Sequence, residues 1–303
     1  MNFNTISTVW ALLKKSSMIL ILTETARIPI AERIKSDNLP YIEKADIIDM
    51  NINNAYEEEM GRLSEDDLLI VLLTVDGFMN KGYCNTFSPF IKPSGCISKY
   101  IFIRLDIPET SLLSALNTRI EKVESIIHKY QALHAGKKVR ATTDKGTDIT
   151  VQIDFQELLP YHARTPGGNA FLPPAEISEE LVPYTANGTI VVDITVGELR
   201  FGSELIDPLG IVDKNVKIVI QNGLVVGISG GDIARRLKVG FDKLDSGLQM
   251  LVELGHGLSD LSPTGIIGVD ESMNGTCHFG IGNRDPYHVD VVVSNPNIVI
   301  LDE

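Results

Sequence analysis

The apolar pattern of this chain changes period near residue 135, and the two sides ask for different layers. Upstream, short apolar runs alternate with amphipathic stretches. The runs are Met18-Ile-Leu-Ile-Leu22, Leu68-Leu-Ile-Val-Leu-Leu73 and Tyr100-Ile-Phe-Ile-Arg104. Runs without alternation read as strands buried on both faces, as a parallel sheet covered by helices requires. Over 109–133, Leu112, Leu116, Ile120, Val123, Ile127 and Tyr130 recur at helical spacing. After His134-Ala-Gly-Lys-Lys138 the pattern becomes strand-rich, over 139–143, 148–153, 189–194 and 216–220. Asn222-Gly223 before Leu224-Val-Val-Gly-Ile228 reads as a hairpin with a type I′ turn. A helix is expected over 232–254, then strands near 265–269, 276–281 and 288–293. The expectation is an α/β, Rossmann-like layered N-terminal domain over 1–135. An α+β C-terminal domain with largely antiparallel sheet follows over 136–303.

The 303 residues, 44% hydrophobic and 22% charged, supply a sizeable core. Neither G-x-G-x-x-G nor G-x-x-x-x-G-K-[ST] occurs, so a nucleotide site has no support. The formal net charge of −13 repels phosphate, which argues against nucleic acid and anionic membranes as partners. It leaves metal cations and small polar substrates open. No run approaches the roughly 18–20 apolar residues of a membrane span. Lys14 and Lys15 follow the first apolar stretch instead of preceding it, unlike a secretory leader. Cys84, Cys96 and Cys277 are odd in number and show no zinc spacing, which points to a reducing compartment. A soluble, cytoplasmic protein is expected.

Potential metal ligands crowd the C-terminus: Glu253, His256, Glu271, His278 and the pair His288/Asp290. In Tyr287-His-Val-Asp-Val-Val-Val293, residues two apart on a strand share a face, so His288 and Asp290 project together. A second histidine would complete a 2-His-1-carboxylate facial site with open positions. The same groups would equally hold zinc or a metal pair. The bland alternatives are a helix-terminal His256 answering the local dipole and a satisfied core His278. The turn-rich stretch from Thr165 to Glu176 reads as a loop. Glu176 there is a further ligand or base, or with Glu179 and Glu180 the acidic first turn of a helix. His162 could face the same cleft. His128 and His134, on or just after a polar helix, are expected to be solvated, as are Glu57-Glu-Glu59 and Glu65-Asp-Asp67. The loop 77–99, with Phe78, Tyr83, Phe87 and Phe90, is long enough for a lid or an oligomer contact.

In order and spacing, several pieces resemble one family. They are Gly168-Asn-Ala-Phe-Leu-Pro-Pro-Ala-Glu176, Ala186-Asn-Gly-Thr189, Glu253-Leu-Gly-His-Gly257, Asp270-Glu271, Gly275-Thr-Cys-His-Phe-Gly-Ile-Gly282 and His288-Val-Asp290. They look like the aminopeptidase T (leucyl aminopeptidase) metallopeptidase superfamily, and more closely its shorter branch containing 2,5-dihydroxypyridine 5,6-dioxygenase. In the N-terminal half the best match is Phe102-Ile-Arg-Leu-Asp-Ile-Pro108. The dioxygenase branch implies one Fe(II), with His288, Asp290 and His256 as ligands and His278 as the competing histidine. It also implies O₂ and a hydroxylated N-heterocycle or aromatic as small-molecule partners. His278, Glu253, Glu271 and Glu176 would then act in catalysis. The peptidase branch implies two ions (zinc, cobalt or manganese) on Glu176, Glu253, His278, His288 and Asp290, and a tyrosine shortly after the first histidine. No tyrosine stands at that spacing; Tyr287 is the nearest. A vestigial site in a non-enzymatic protein is a third reading. Between His278 and His288 the chain has only Phe279-Gly-Ile-Gly-Asn-Arg-Asp-Pro-Tyr287, where relatives carry a longer glycine-rich segment. The resemblance also implies a homo-oligomer.

Overall fold

The computed structural model describes residues 3–52, 56–74, 98–104, 108–154, 164, 169–172, 176–201, 204–244, 249–282 and 287–301. His162 and nearly all of the 77–99 loop lie outside the described residues. The chain divides into two compact units, Met1–Glu124 with Pro160–Ala175, and Ser125–Leu159 with Glu176–Glu303. The sequence reading had one cut, at 135. The structure divides inside a helix and returns a later segment to the first unit.

That segment explains the return. The first unit is built on β1 (Met18–Thr23), β2 (Lys44–Asp49), β3 (Leu68–Leu73) and β4 (Lys99–Arg104), joined by β7 (Asn169–Leu172). The order is β2-β1-β3-β4-β7, and every pair is parallel. Part of the expected Thr165–Glu176 loop is therefore a strand at the sheet's edge. β3, Leu-Leu-Ile-Val-Leu-Leu, is buried at all six positions, as a parallel strand covered on both faces must be. The order differs from the 3-2-1-4-5-6 of the dinucleotide-binding folds. Asp67 is only 8% exposed, so it is not part of a solvated acidic face. Its carboxylate accepts from Met18 N at 2.7 Å and from Ser64 N and Oγ at 2.7 Å, tying the starts of β1 and β3 together.

The second unit is antiparallel. One sheet runs β15 (Leu224–Ser229), β14 (Val216–Gln221), β9 (Asn187–Val192), β6 (Asp148–Gln152), β5 (Lys138–Thr142), β19 (Asn297–Ile300). The other runs β13 (Gly210–Ile211), β10 (Thr195–Val196), β18 (Val289–Ser294), β17 (Thr276–Ile281), β16 (Leu251–Gly257), β8 (Glu176–Glu180). A small hairpin, β11 (Leu199–Phe201) and β12 (Glu204–Asp207), stands apart. Both large sheets contribute to one core cluster, including Val139, Ile149, Ile190, Ile218, Leu254, Phe279 and Val291. The Asn222-Gly223 turn forms as expected, with both residues at positive φ.

Three element expectations are corrected. The helix expected over 232–254 stops at Phe241, and Glu253 and His256 stand on β16. Its helical signal was real only over the segment Asp232–Phe241, whose Ile233, Ala234, Leu237 and Phe241 are buried. The strand expected near 265–269 is a short helix, Ile267–Asp270. The acidic run from Glu176 is a strand instead of a helix turn, and its burial alternates. Among the described residues, no helix is long and apolar enough to cross a membrane.

Phe279 is fully buried in the shared core. Phe279→Ala is expected to cost about 3–5 kcal/mol of unfolding free energy in chemical denaturation. A loss under about 1 kcal/mol would mean the two sheets do not share that core.

Candidate metal centre

Strand pairing sorts the candidate ligands before any side-chain contact is considered, because directly opposed residues share a face. Glu253 opposes Gly280, and Gly280 opposes Asp290. Gly255 opposes both His278 and Ser178, and Gly257 opposes Glu176. These residues share one face, joined by His288 two positions before Asp290. The opposite face carries Leu254, Cys277, Phe279, Val291 and Val293, all core residues. A bulge between Leu251 and Glu253 resets the alternation, so that Leu251 enters the core and Glu253 faces away from it.

On the ligand face the side chains meet in a row. His278 Nε2 lies 3.6 Å from Glu176 Oε2 and 3.5 Å from Glu253 Oε1. His288 Nε2 lies 3.6 Å from Glu253 Oε2 and 3.0 Å from Asp290 Oδ1. Ligand atoms of Glu253, His288 and Asp290 all fall within 4.8 Å of one another. Ser178 Oγ donates to Glu253 Oε1. His288 Nδ1, 3.0 Å from the Gly282 carbonyl, donates to it, which turns Nε2 toward the carboxylates as metal-binding histidines are commonly held. Buried His278 Nδ1 has no hydrogen-bond partner among the described residues.

Two glycines make the row possible. A Cβ on Gly255 would stand 1.9 Å from His278 Cε1 and Nε2. One on Gly280 would stand 2.7 Å from His288 Cε1 and 2.8 Å from Glu253 Cβ. The sequence reading missed both glycines and Ser178. Their signal was there, in the period-2 alternation with Glu253 and His278. Glu271 follows the short helix and is 9% exposed. Its segment is anchored by fully buried Asp270, which accepts from Thr264 N at 2.7 Å, Gly265 N at 2.8 Å and Thr195 Oγ1.

The electrostatics favour a cation. Burial alone would keep His278 and His288 neutral. Glu253, Glu176, Asp290 and Glu271 around His278 overcome it, as do Asp290 and Glu253 beside His288, and both imidazoles rise to about 10. Burial likewise opposes the charge on Glu253, but the two histidines hold its carboxyl well below the usual carboxylate range. Three carboxylates against two imidazoles form an oxygen- and nitrogen-rich set suited to divalent metals.

His256 does not join this row. It opposes Cys277 and Ile177 on the core face, and its Nε2 lies 2.9 Å from Glu179 Oε2. Strand parity places His256 on the face opposite the one that carries Asp290 and His288. His278, the competing histidine, is the one brought into the row. Tyr287 also points into the core, 1% exposed and edge-on to Phe241 at 5.5 Å. His134 is 5% exposed, so the expectation that it is solvated is overturned.

No family model and no curated protein matches this sequence. Among solved structures, the chain is similar to 2,5-dihydroxypyridine dioxygenase from Pseudomonas putida KT2440. The TM-score is 0.68 at 14% identity, over 98% of this chain and 92% of that one. It is also similar to wild-type AmpT, an aminopeptidase T, from Thermus thermophilus, with TM-score 0.61 at 13% identity, over 99% and 94%. The fold is the one these two structures share. The resemblance first drawn from short motifs extends, as a fold, over nearly the whole chain. The five residues that the motif resemblance implied for a peptidase (Glu176, Glu253, His278, His288 and Asp290) stand in one row.

Two outcomes follow. Gly255→Ala displaces the His278 ring and is expected to weaken divalent-metal affinity at least 10–100-fold in chelator competition; unchanged affinity would show the ring is not held there. Both imidazoles are raised from 6.5 toward about 10. Their contribution to the metal-free protein is therefore complete below about pH 6.5 and lost as pH rises toward about 10. The melting temperature of metal-free protein should fall over that window. Bound metal, which needs the deprotonated rings, should reverse the trend; a flat metal-free profile would contradict the geometry.

Proposed function

We propose that this chain is a metal-dependent hydrolase in which Glu176, Glu253, His278, His288 and Asp290 hold a pair of divalent ions, and that it cleaves short peptides or related small amides. One observation carries the reading: the five donors face one side of a single sheet, linked at 3.0–3.6 Å. Bound there, such ions would lower the pKa of water and polarise a carbonyl. The chain's own groups do the rest. Ser178 orients Glu253, the Gly282 carbonyl orients His288, and Asp270 holds the segment bearing Glu271. Glu271 is close enough for its charge to act on His278. It is the group we assign to take a proton from the attacking water and return it to the leaving amine. The setting we propose is the cytoplasm.

A second reading, a mononuclear Fe(II) ring-cleaving dioxygenase acting on a hydroxylated N-heterocycle or aromatic with O₂, is favoured by two observations. Within the row, Glu253, His288 and Asp290 place their ligand atoms within 4.8 Å of one another, which suits one ion, with His278 as the further nitrogen. The tyrosine implied for the peptidases has no counterpart in Tyr287, which is buried in the core.

Elemental analysis of protein purified without oxygen separates the two. About two zinc, cobalt or manganese ions per chain, with hydrolysis of short peptides, is the expected result. About one iron with oxygen uptake on dihydroxypyridines would replace the hydrolase by the dioxygenase. In either case His288→Ala is expected to lower turnover more than about 100-fold, beyond the loss of a merely supporting partner.

A further inference from the structure

His134, Glu179 and His256 form a second cluster, on the core face of the same sheet, that the proposed reaction does not use. The three come from separate elements: His134 is the last residue of the helix Ile120–His134, Glu179 lies on β8 and His256 on β16. His134 Nδ1 and His256 Nε2 each lie 2.9 Å from the same oxygen, Glu179 Oε2. Ligand atoms of all three fall within 4.8 Å of one another. Side-chain exposures are 6%, 2% and 4% for His134, Glu179 and His256.

The ring positions are fixed from one side. Tyr130 sits edge-on to His134 at 4.7 Å and tilted against His256 at 4.2 Å. Two imidazole nitrogens and a carboxylate oxygen, held within 4.8 Å of one another by packed neighbours, are a zinc-type ligand set.

Charge gives the second argument. Burying an ionised carboxylate costs several kcal/mol unless a positive charge compensates it. Among the described residues, the only charged groups that act on Glu179 are these two histidines. The cluster thus sets a buried carboxylate beside two imidazole nitrogens inside an apolar core.

We propose that His134, Glu179 and His256 bind one divalent transition-metal ion of the zinc class, as a structural site separate from the row on the opposite face. Bound metal would clamp the end of the Ile120–His134 helix to β8 and β16, and thereby hold the edge strand that carries Glu176 and Ser178 on its other face.

The test uses the full chain with His288→Ala and Asp290→Ala, which disables the row and leaves the buried trio intact. Expressed with supplemental zinc and dialysed against a mild chelator, this variant is expected to retain about one zinc per chain. X-ray absorption at that zinc should report nitrogen and oxygen neighbours including two imidazoles, a readout that needs no further substitution in the core. Adding Glu179→Gln should remove most of the retained zinc, with circular dichroism confirming that the chain is folded. Absence of zinc and of cobalt in the intact-trio variant, even after refolding with either metal, overturns the proposal and leaves a hydrogen-bonded cluster. Retained metal with fewer than two imidazole neighbours also overturns it. Because the row is already disabled, neither outcome bears on the hydrolase reading.

Discussion

The antiparallel register of β8, β16, β17 and β18 is the constraint on which the rest of the second unit depends. Opposed residues share a face, so one set of pairings gathers Glu176, Ser178, Glu253, His278 and Asp290 on one side. The same pairings send Glu179, Leu254, His256, Cys277 and Phe279 to the other. A slip of one residue anywhere would exchange the two populations, burying carboxylates in the core and exposing core residues. The bulge after Leu251 is the one place where the alternation is reset. It permits an apolar residue and a ligand to be neighbours on one strand while serving opposite layers.

Register brings together charged groups whose mutual attraction opposes the cost of their burial. Glu253 and His278 are nearly buried, where unpaired charge is costly, and the row holds more carboxylates than imidazoles. Its neighbours respond by raising both histidines and depressing Glu253. That is the signature of a site arranged around positive charge. Gly255 and Gly280 serve the same end sterically, since any Cβ would occupy the volume of an imidazole. The arrangement is thus produced jointly by chirality-free positions and by pairing.

Much of the fold was legible in local pattern. Unbroken apolar runs gave β1, β3 and β4, alternation gave β14, β17 and β18, and Asn222-Gly223 gave its hairpin. What failed was the segment 232–254. There an amphipathic helix passes through a short connection into a strand rich in residues that fit either state, and period alone does not locate the change. β7 was also hidden, because Asn-Ala-Phe-Leu is too short to show a period and its partner β4 is distant in sequence.

The sequence by itself determined that His288 and Asp290 share a face, since a strand's two-residue repeat is a property of the backbone. It also supplied the inventory of donors and the acidic balance that favours cations. Which donors meet was decided only by tertiary structure. His256 and His278 are equivalent in type and close in sequence, yet they stand on opposite faces because their strands pair with one register and not another. Likewise His134 ends a polar-looking helix but is buried, because Glu179 and His256, from distant strands, close over it. Long-range pairing is not written in local periodicity; it follows from which faces can be buried together.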